Sequence, residues 1–176
     1  MNGITATGLT KRYGQTTALG GVNITFEEHK IYGLLGRNGA GKTTLLNLIT
    51  GRIFADSGSI TVDGQTAIEQ DALLGRLHMM SEQTLYPDGM RVDRAFEVAG
   101  EFYKDFNRAY AKSLSERFKL DTRKNVKRLS TGYTSIFKLI IALATGAPYL
   151  LLDEPCLGRD AHPRQLFDEG PPGPHP

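Results

Sequence analysis

One cysteine, Cys156, serves the whole chain of 176 residues, so no internal disulfide can form. That usage suits a reducing compartment. Long apolar runs are also missing. None approaches the ~20 residues that a bilayer-spanning helix needs. The first ten residues, Met1 to Thr10, are polar. They lack the basic stretch and apolar segment of a signal peptide. Excess charge of either sign is small, because 21 Lys and Arg stand against 19 Asp and Glu. A net +2 cannot recruit nucleic acid or an anionic membrane by its field alone, and no nucleic-acid partner is expected. What remains is ordinary globular composition, 40% hydrophobic and 23% charged, at the length of one domain with a sizeable core. The expected compartment is the cytosol, which leaves docking onto a membrane partner open.

Along the chain, short strand patterns come first. Ile4, Ala6 and Gly8-Leu9 suggest one strand; Val22, Ile24 and Phe26 alternate as a second. Ile31-Tyr32-Gly33-Leu34-Leu35 is a continuous apolar run, which predicts a strand buried on both faces. A helix is predicted from Lys42 through Thr50, stopped at Gly51. Ser59 to Val62 leads into a turn at Asp63-Gly64. Leu77 to Met80 suggests a further strand. From there helical spacing dominates: 91–104 and 106–118 read as amphipathic helices, and 132–147 as a third, ended by Pro148. Tyr149-Leu150-Leu151-Leu152 is a second buried-strand pattern, finishing in Asp153-Glu154-Pro155. The Pro/Gly-rich end, 169–176, reads as disordered or foreign sequence.

Two motifs carry chemistry. Gly36-Arg37-Asn38-Gly39-Ala40-Gly41-Lys42-Thr43 matches G-x-x-x-x-G-K-[ST], with a predicted strand before it and a helix after it. Glycines let backbone N–H groups approach phosphate oxygens, and the helix N-terminus adds its positive dipole end. Lys42 is placed to reach the β- and γ-phosphates and the Thr43 hydroxyl to bind Mg²⁺; Thr44 follows. The alternative is a Gly-rich turn beside a surface lysine, which does not explain the complete motif. The loop alone does not choose among kinases, GTPases and ATPases. The second motif is the apolar strand ending in two carboxylates. Asp153 fits a Mg²⁺-holding strand-end aspartate, and Glu154 a general base that polarises water near the γ-phosphate. Two solvated acids ahead of a proline turn are the competing reading.

Taken together these residues resemble the ATP-binding subunits of ABC transporters, over about residues 1–168. The resemblance implies an α/β fold: a P-loop NTPase core with a mostly parallel sheet, an N-terminal antiparallel β region and a helical subdomain at about 84–130. The two motifs then correspond to Walker A and Walker B. In Lys11-Arg12-Tyr13-Gly14, Tyr13 looks like the aromatic residue that stacks on adenine. Leu129-Ser130-Thr131-Gly132-Tyr133 looks like the family signature Leu-Ser-Gly-Gly-Gln, with Thr131 and Tyr133 as departures. Ser130 and Gly132 are retained, which implies contact with the γ-phosphate held by an opposite subunit; a simple helix N-cap is the compatible plain reading. Met80 to Pro87 resembles the glutamine loop. Gln83 takes the metal- and water-sensing position, with Glu82 as the alternative because the spacing is short. Cys156-Leu157-Gly158-Arg159-Asp160 resembles Ser-x-Gly-Leu-Asp, matching at Asp160 and departing at Arg159.

The resemblance implies ATP and Mg²⁺ as ligands, with catalysis by Glu154, Lys42 and Gln83. It also implies a homo- or heterodimer with another ATP-binding subunit, and a separate transmembrane permease. Peripheral placement on the inner face of the cell membrane follows. The degenerate signature and Leu85-Tyr86-Pro87 look most like bacterial exporter ATPases. After Phe167 the family likeness stops, and neither His162 nor His175 takes the place of the family's final histidine. The expectation is a domain incomplete at its C-terminus, with poor solubility or weak turnover through an unpaired sheet edge. Three rival functions stand beside transport: a catalytically impaired regulatory chain or remnant, a soluble ABC ATPase, and a small-molecule kinase.

Overall fold

The computed structural model describes residues 2–66, 73, 75–80 and 86–153. It forms two compact units, Met1–Met79 and Met80–Pro176. Glu82, Gln83, Leu85, Glu154, Cys156, Arg159, Asp160, His162, His175 and the 169–176 segment lie outside the described residues.

The first unit is built on a hairpin of β1 (Gly3–Tyr13) and β2 (Thr16–Glu27). Tyr13 pairs with Thr16, leaving Gly14-Gln15 as the two-residue turn, with Gly14 at φ 58. Glycine at the first central position is what the hairpin turn that follows strand twist requires. β3 (Ser57–Val62) pairs antiparallel with β1, and β4 (Gln65–Thr66) follows the predicted turn. Asp63 and Gly64 both have positive φ there, 53 and 78, the Asp-Gly form of the tight hairpin. The sheet order is β2-β1-β3-β4. Ile4, Ala6, Leu9, Ile60 and Val62 bury its inner face. Helix α1 (Lys42–Ile49) buries Leu45, Leu48 and Ile49. It ends where predicted. Gly51 at φ 67 closes a Schellman motif, its N–H donating to Leu48 O (3.2 Å) while Arg52 N–H donates to Asn47 O (2.9 Å).

The buried strand predicted at 31–35 is not formed. Ile31 is 78% and Leu35 95% exposed, and no strand pairs with the run among the described residues. The physical reason is that apolar side chains supply only half of a buried strand. The other half is a neighbouring ladder for its N–H and C=O groups, which local sequence does not carry.

The second unit begins at Met80, the last residue of β5 (Leu77–Met80). Its helices are α2 (Val92–Phe102), α3 (Arg108–Arg117) and α4 (Thr131–Ala144), close to the predicted spans. A 3-10 turn, Val126–Arg128, precedes α4. The core centres on Phe137, which is fully buried. It stacks on Phe96 (5.9 Å between centroids) and meets Tyr86 edge-on (5.2 Å). Asn107 joins two helices: its side chain caps α3 by accepting from Tyr110 N–H (2.9 Å), and its N–H donates to Ala144 O (2.8 Å) at the end of α4. β6 (Tyr149–Leu152) forms as predicted but is only partly buried, with Leu151 inside and Leu150 38% exposed.

Candidate functional site: a glycine-rich loop, a capped helix and a strand-end carboxylate

The glycine-rich loop enters α1 through two left-handed residues, Gly39 (φ 83) and Gly41 (φ 85). Arg37 to Ala40 make a turn closed by Ala40 N–H donating to Arg37 O (3.1 Å). Gly39 sits at its third position, where positive φ excludes most side chains. Gly41 is the helix N-cap and has no capping side chain. A Cβ on it would lie 2.5 Å from Ala18 O and 2.8 Å from Leu19 Cδ2. Only glycine lets the start of α1 rest this closely on β2. Gly36 meets a gentler limit, since its Cβ would lie 3.1 Å from that of Ala40. The first intrahelical bond runs from Leu45 N–H to Gly41 O (2.9 Å), so the amides ahead of it serve no helical acceptor.

Lys42 folds back over this loop. Its Nζ donates to Gly36 O (2.8 Å) and Arg37 O (3.1 Å), drawing the two ends of the loop together. Asn38 and Thr43 are exposed and Thr44 is half-buried. A helix N-terminus, left-handed glycines and an ammonium group together make a cradle for a polyanion. Tyr13 belongs to the same unit. Its ring is 51% exposed at the hairpin end, opposite Thr16, two residues before the Ala18 that Gly41 touches.

Sequence reasoning missed what holds Tyr13. Lys11 Nζ lies 5.6 Å from the centroid of its ring. Lys11 in turn donates to Asp56 Oδ1 (3.2 Å), while Asp56 Oδ2 accepts from Arg12 N–H (2.6 Å). The Arg12 amide, and then the Lys11 ammonium, hold the Asp56 carboxyl below its usual range. No local signal marks Asp56, because the contact spans 45 residues of chain.

In the second unit Ser130 is the N-cap of α4. Its Oγ accepts from Tyr133 N–H at a long 3.4 Å, and its carbonyl accepts from Thr134 N–H (2.8 Å). The plain N-cap reading therefore holds. Ser130 and Thr131 are exposed and Gly132 half-buried, so the first turn of the helix is open to a further acceptor. Tyr86 rests against Phe137 of this same helix, and burial pushes the pKa of its hydroxyl up to about 12. Asp153 follows β6, is buried, and its N–H donates to Met80 O (3.1 Å). Among the described residues no group of three or more His, Cys, Asp or Glu gathers as a metal cage. Mg²⁺ needs none, because it keeps waters and phosphate oxygens around one or two protein oxygens. The Thr43 hydroxyl and the Asp153 carboxylate are oxygen donors of the kind it takes.

In the first unit, a strand hairpin leading to a glycine-rich loop and a helix-starting lysine has the form of a P-loop nucleotide-binding domain. The family model described as ABC transporter matches residues 19–157, and the chain belongs to that family. It is 35% identical over 153 residues to the ABC transporter ATP-binding protein YtrB of Bacillus subtilis, covering 87% of this chain and 52% of the relative. It is 34% identical to the daunorubicin resistance ATP-binding protein DrrA3 of Streptomyces coeruleorubidus, covering 92% of this chain and 53% of that one. The chain thus spans about half the length of these relatives. A putative ABC transporter ATP-binding protein from Pyrococcus furiosus superposes with a TM-score of 0.76 at 24% identity, over 88% of this chain and 76% of its own. An ATP-bound bacterial Atm1-family exporter gives 0.77 at 19% identity, over 90% of this chain and 30% of its own. These likenesses show the α/β P-loop ATPase fold. No helix among the described residues is long and apolar enough to cross a membrane.

Proposed function

We propose that this chain binds and hydrolyses ATP to drive a separate membrane subunit of a bacterial exporter. The observation that carries the reading is Lys42 held across a loop that turns at the left-handed Gly39 and whose Gly41 seats α1 on β2. Phosphate oxygens compete directly with the Gly36 and Arg37 carbonyls for that ammonium, and they bring more negative charge. The loop from Gly36 to Thr44 takes the phosphates, and Tyr13 takes the adenine on its exposed ring. Thr43, Asp153 and Gln83 are the residues that would hold Mg²⁺, which when bound neutralises charge on the transferred phosphoryl group. Lys42 stabilises that charge alongside it. Glu154 orients the attacking water and accepts its proton. Ser130, Gly132 and Asp160 serve a nucleotide shared with a second ATP-binding subunit, identical or homologous.

ATP binding and phosphate release measured separately test this. The Glu154→Gln variant is expected to bind ATP as the parent does while phosphate release falls by about a hundredfold or more, the scale of a lost general base. Release at the parental rate would remove Glu154 from the mechanism. Binding without release in the parent itself would favour the regulatory reading that Thr131 and Tyr133 suggest.

A further inference from the structure

We propose that Lys11 is a positioning residue for the nucleobase. Its ammonium backs one face of the Tyr13 ring so that the other face receives adenine, and Asp56 holds Lys11 in place. This rests on the reading of Tyr13 as the stacking residue. Three observations support it. The Lys11 Nζ stands 5.6 Å from the ring centroid, within the range of a cation–π contact. Its side chain is only 17% exposed, so the stem is held while the ring above stays half-open. Asp56 fixes the stretch at three points: its Oδ1 on Lys11, its Oδ2 on the Arg12 N–H, and its own N–H on Thr10 O (2.9 Å).

Those ties fall where the sheet itself is weakest. The β1–β2 register shifts on both sides of Lys11, between Leu9 and Lys11 and again between Lys11 and Arg12. A regular ladder does not set the direction of these side chains, and the carboxylate of Asp56 takes over that task. The consequence for a base is twofold. A ring already held loses less freedom when a base stacks on it. A cation on the far face also draws π density away from the near face, so two electron-rich faces repel less. Lys11 therefore acts on the base through Tyr13, and no contact with phosphate is needed.

Calorimetric titration of the full chain with ATP, and separately with inorganic tripolyphosphate, tests this. Tripolyphosphate has no base, and its binding also reports that the loop is intact. Lys11→Met is expected to weaken ATP about three- to tenfold, the scale of a partly exposed cation–π contact, and to leave tripolyphosphate unchanged. Lys11→Arg, which keeps a cation over the ring, restores ATP affinity. In a Tyr13→Ala background Lys11→Met changes nothing further. Equal weakening of both ligands by Lys11→Met, or an effect that persists without the ring, would overturn the proposal by making Lys11 part of the phosphate field or of the fold. If Tyr13→Ala weakens ATP and Lys11→Met does not, the proposal fails and the stacking reading survives. If Tyr13→Ala itself leaves ATP affinity unchanged, both fall.

Discussion

Replacing Gly41 with alanine separates two costs that the glycine-rich loop imposes. Any L-residue forced into the left-handed region loses about 1–2 kcal/mol. Gly39 and Gly41 share that cost, with φ of 83 and 85. They differ in their surroundings. A Cβ at Gly39 meets nothing within 4 Å, whereas at Gly41 it falls 2.5 Å from Ala18 O and 2.8 Å from Leu19 Cδ2. The nearer atom is backbone and cannot rotate away, so α1 must lift from β2 or the strand must bend. Forcing one methyl into such a contact adds about 1–3 kcal/mol. Gly41→Ala should therefore cost about 2–5 kcal/mol, and Gly39→Ala about 1–2. Because small domains hold only ~5–15 kcal/mol, the first variant is near the edge of folding and the second is not. With no tryptophan in the chain, far-ultraviolet circular dichroism is the probe. With urea m-values of about 1–3 kcal/mol per molar, the Gly41→Ala midpoint should fall by roughly 1–2 M more than the Gly39→Ala midpoint. Equal midpoints for the two variants would refute the claim that close approach to Ala18, rather than φ alone, selects glycine at 41.

Three further perturbations follow from particular contacts. Phe137→Ala empties the centre of the second unit, where the ring is fully buried between Phe96 and Tyr86, and should cost about 3–5 kcal/mol by urea unfolding; a loss below about 1 kcal/mol would refute that packing. His78 has its pKa pushed down to about 4, first by burial and then by the Arg52 guanidinium. Unfolded histidine titrates near 6.5. Between those values the unfolded chain binds the extra proton, so stability is complete above about pH 6.5 and is lost as pH falls toward 4, by on the order of 3 kcal/mol; a His78→Gln variant with the same slope over that window would show that another group is responsible. Lys42→Met should weaken ATP tenfold or more, the worth of a charged hydrogen bond. The unfolding midpoint should barely move, because the ties to Gly36 and Arg37 lie at the surface; a large loss of stability would mean that Lys42 holds the loop's fold and not its ligand.

Much of the fold and part of the site were legible in the sequence. Asp63-Gly64 announces its turn because glycine and aspartate relieve a strain only a few atoms away. Helix α1 and its Gly51 stop are local in the same sense, and so is Ser130 as the cap of α4. The glycine-rich loop is recognisable because its residue types are demanded by backbone angles at Gly39 and Gly41. Tertiary structure decided the rest. The 31–35 run has a strand's side chains without a strand's partner, and pairing is a property of two segments. The requirement for glycine at 41 comes from a carbonyl 23 positions away at Ala18, as the close approach shows. The Lys11–Asp56 tie beneath Tyr13 closes a gap of 45 residues. Local angles and periodicity are written residue by residue, whereas which segment meets which depends on burial and hydrogen bonding summed over the whole chain.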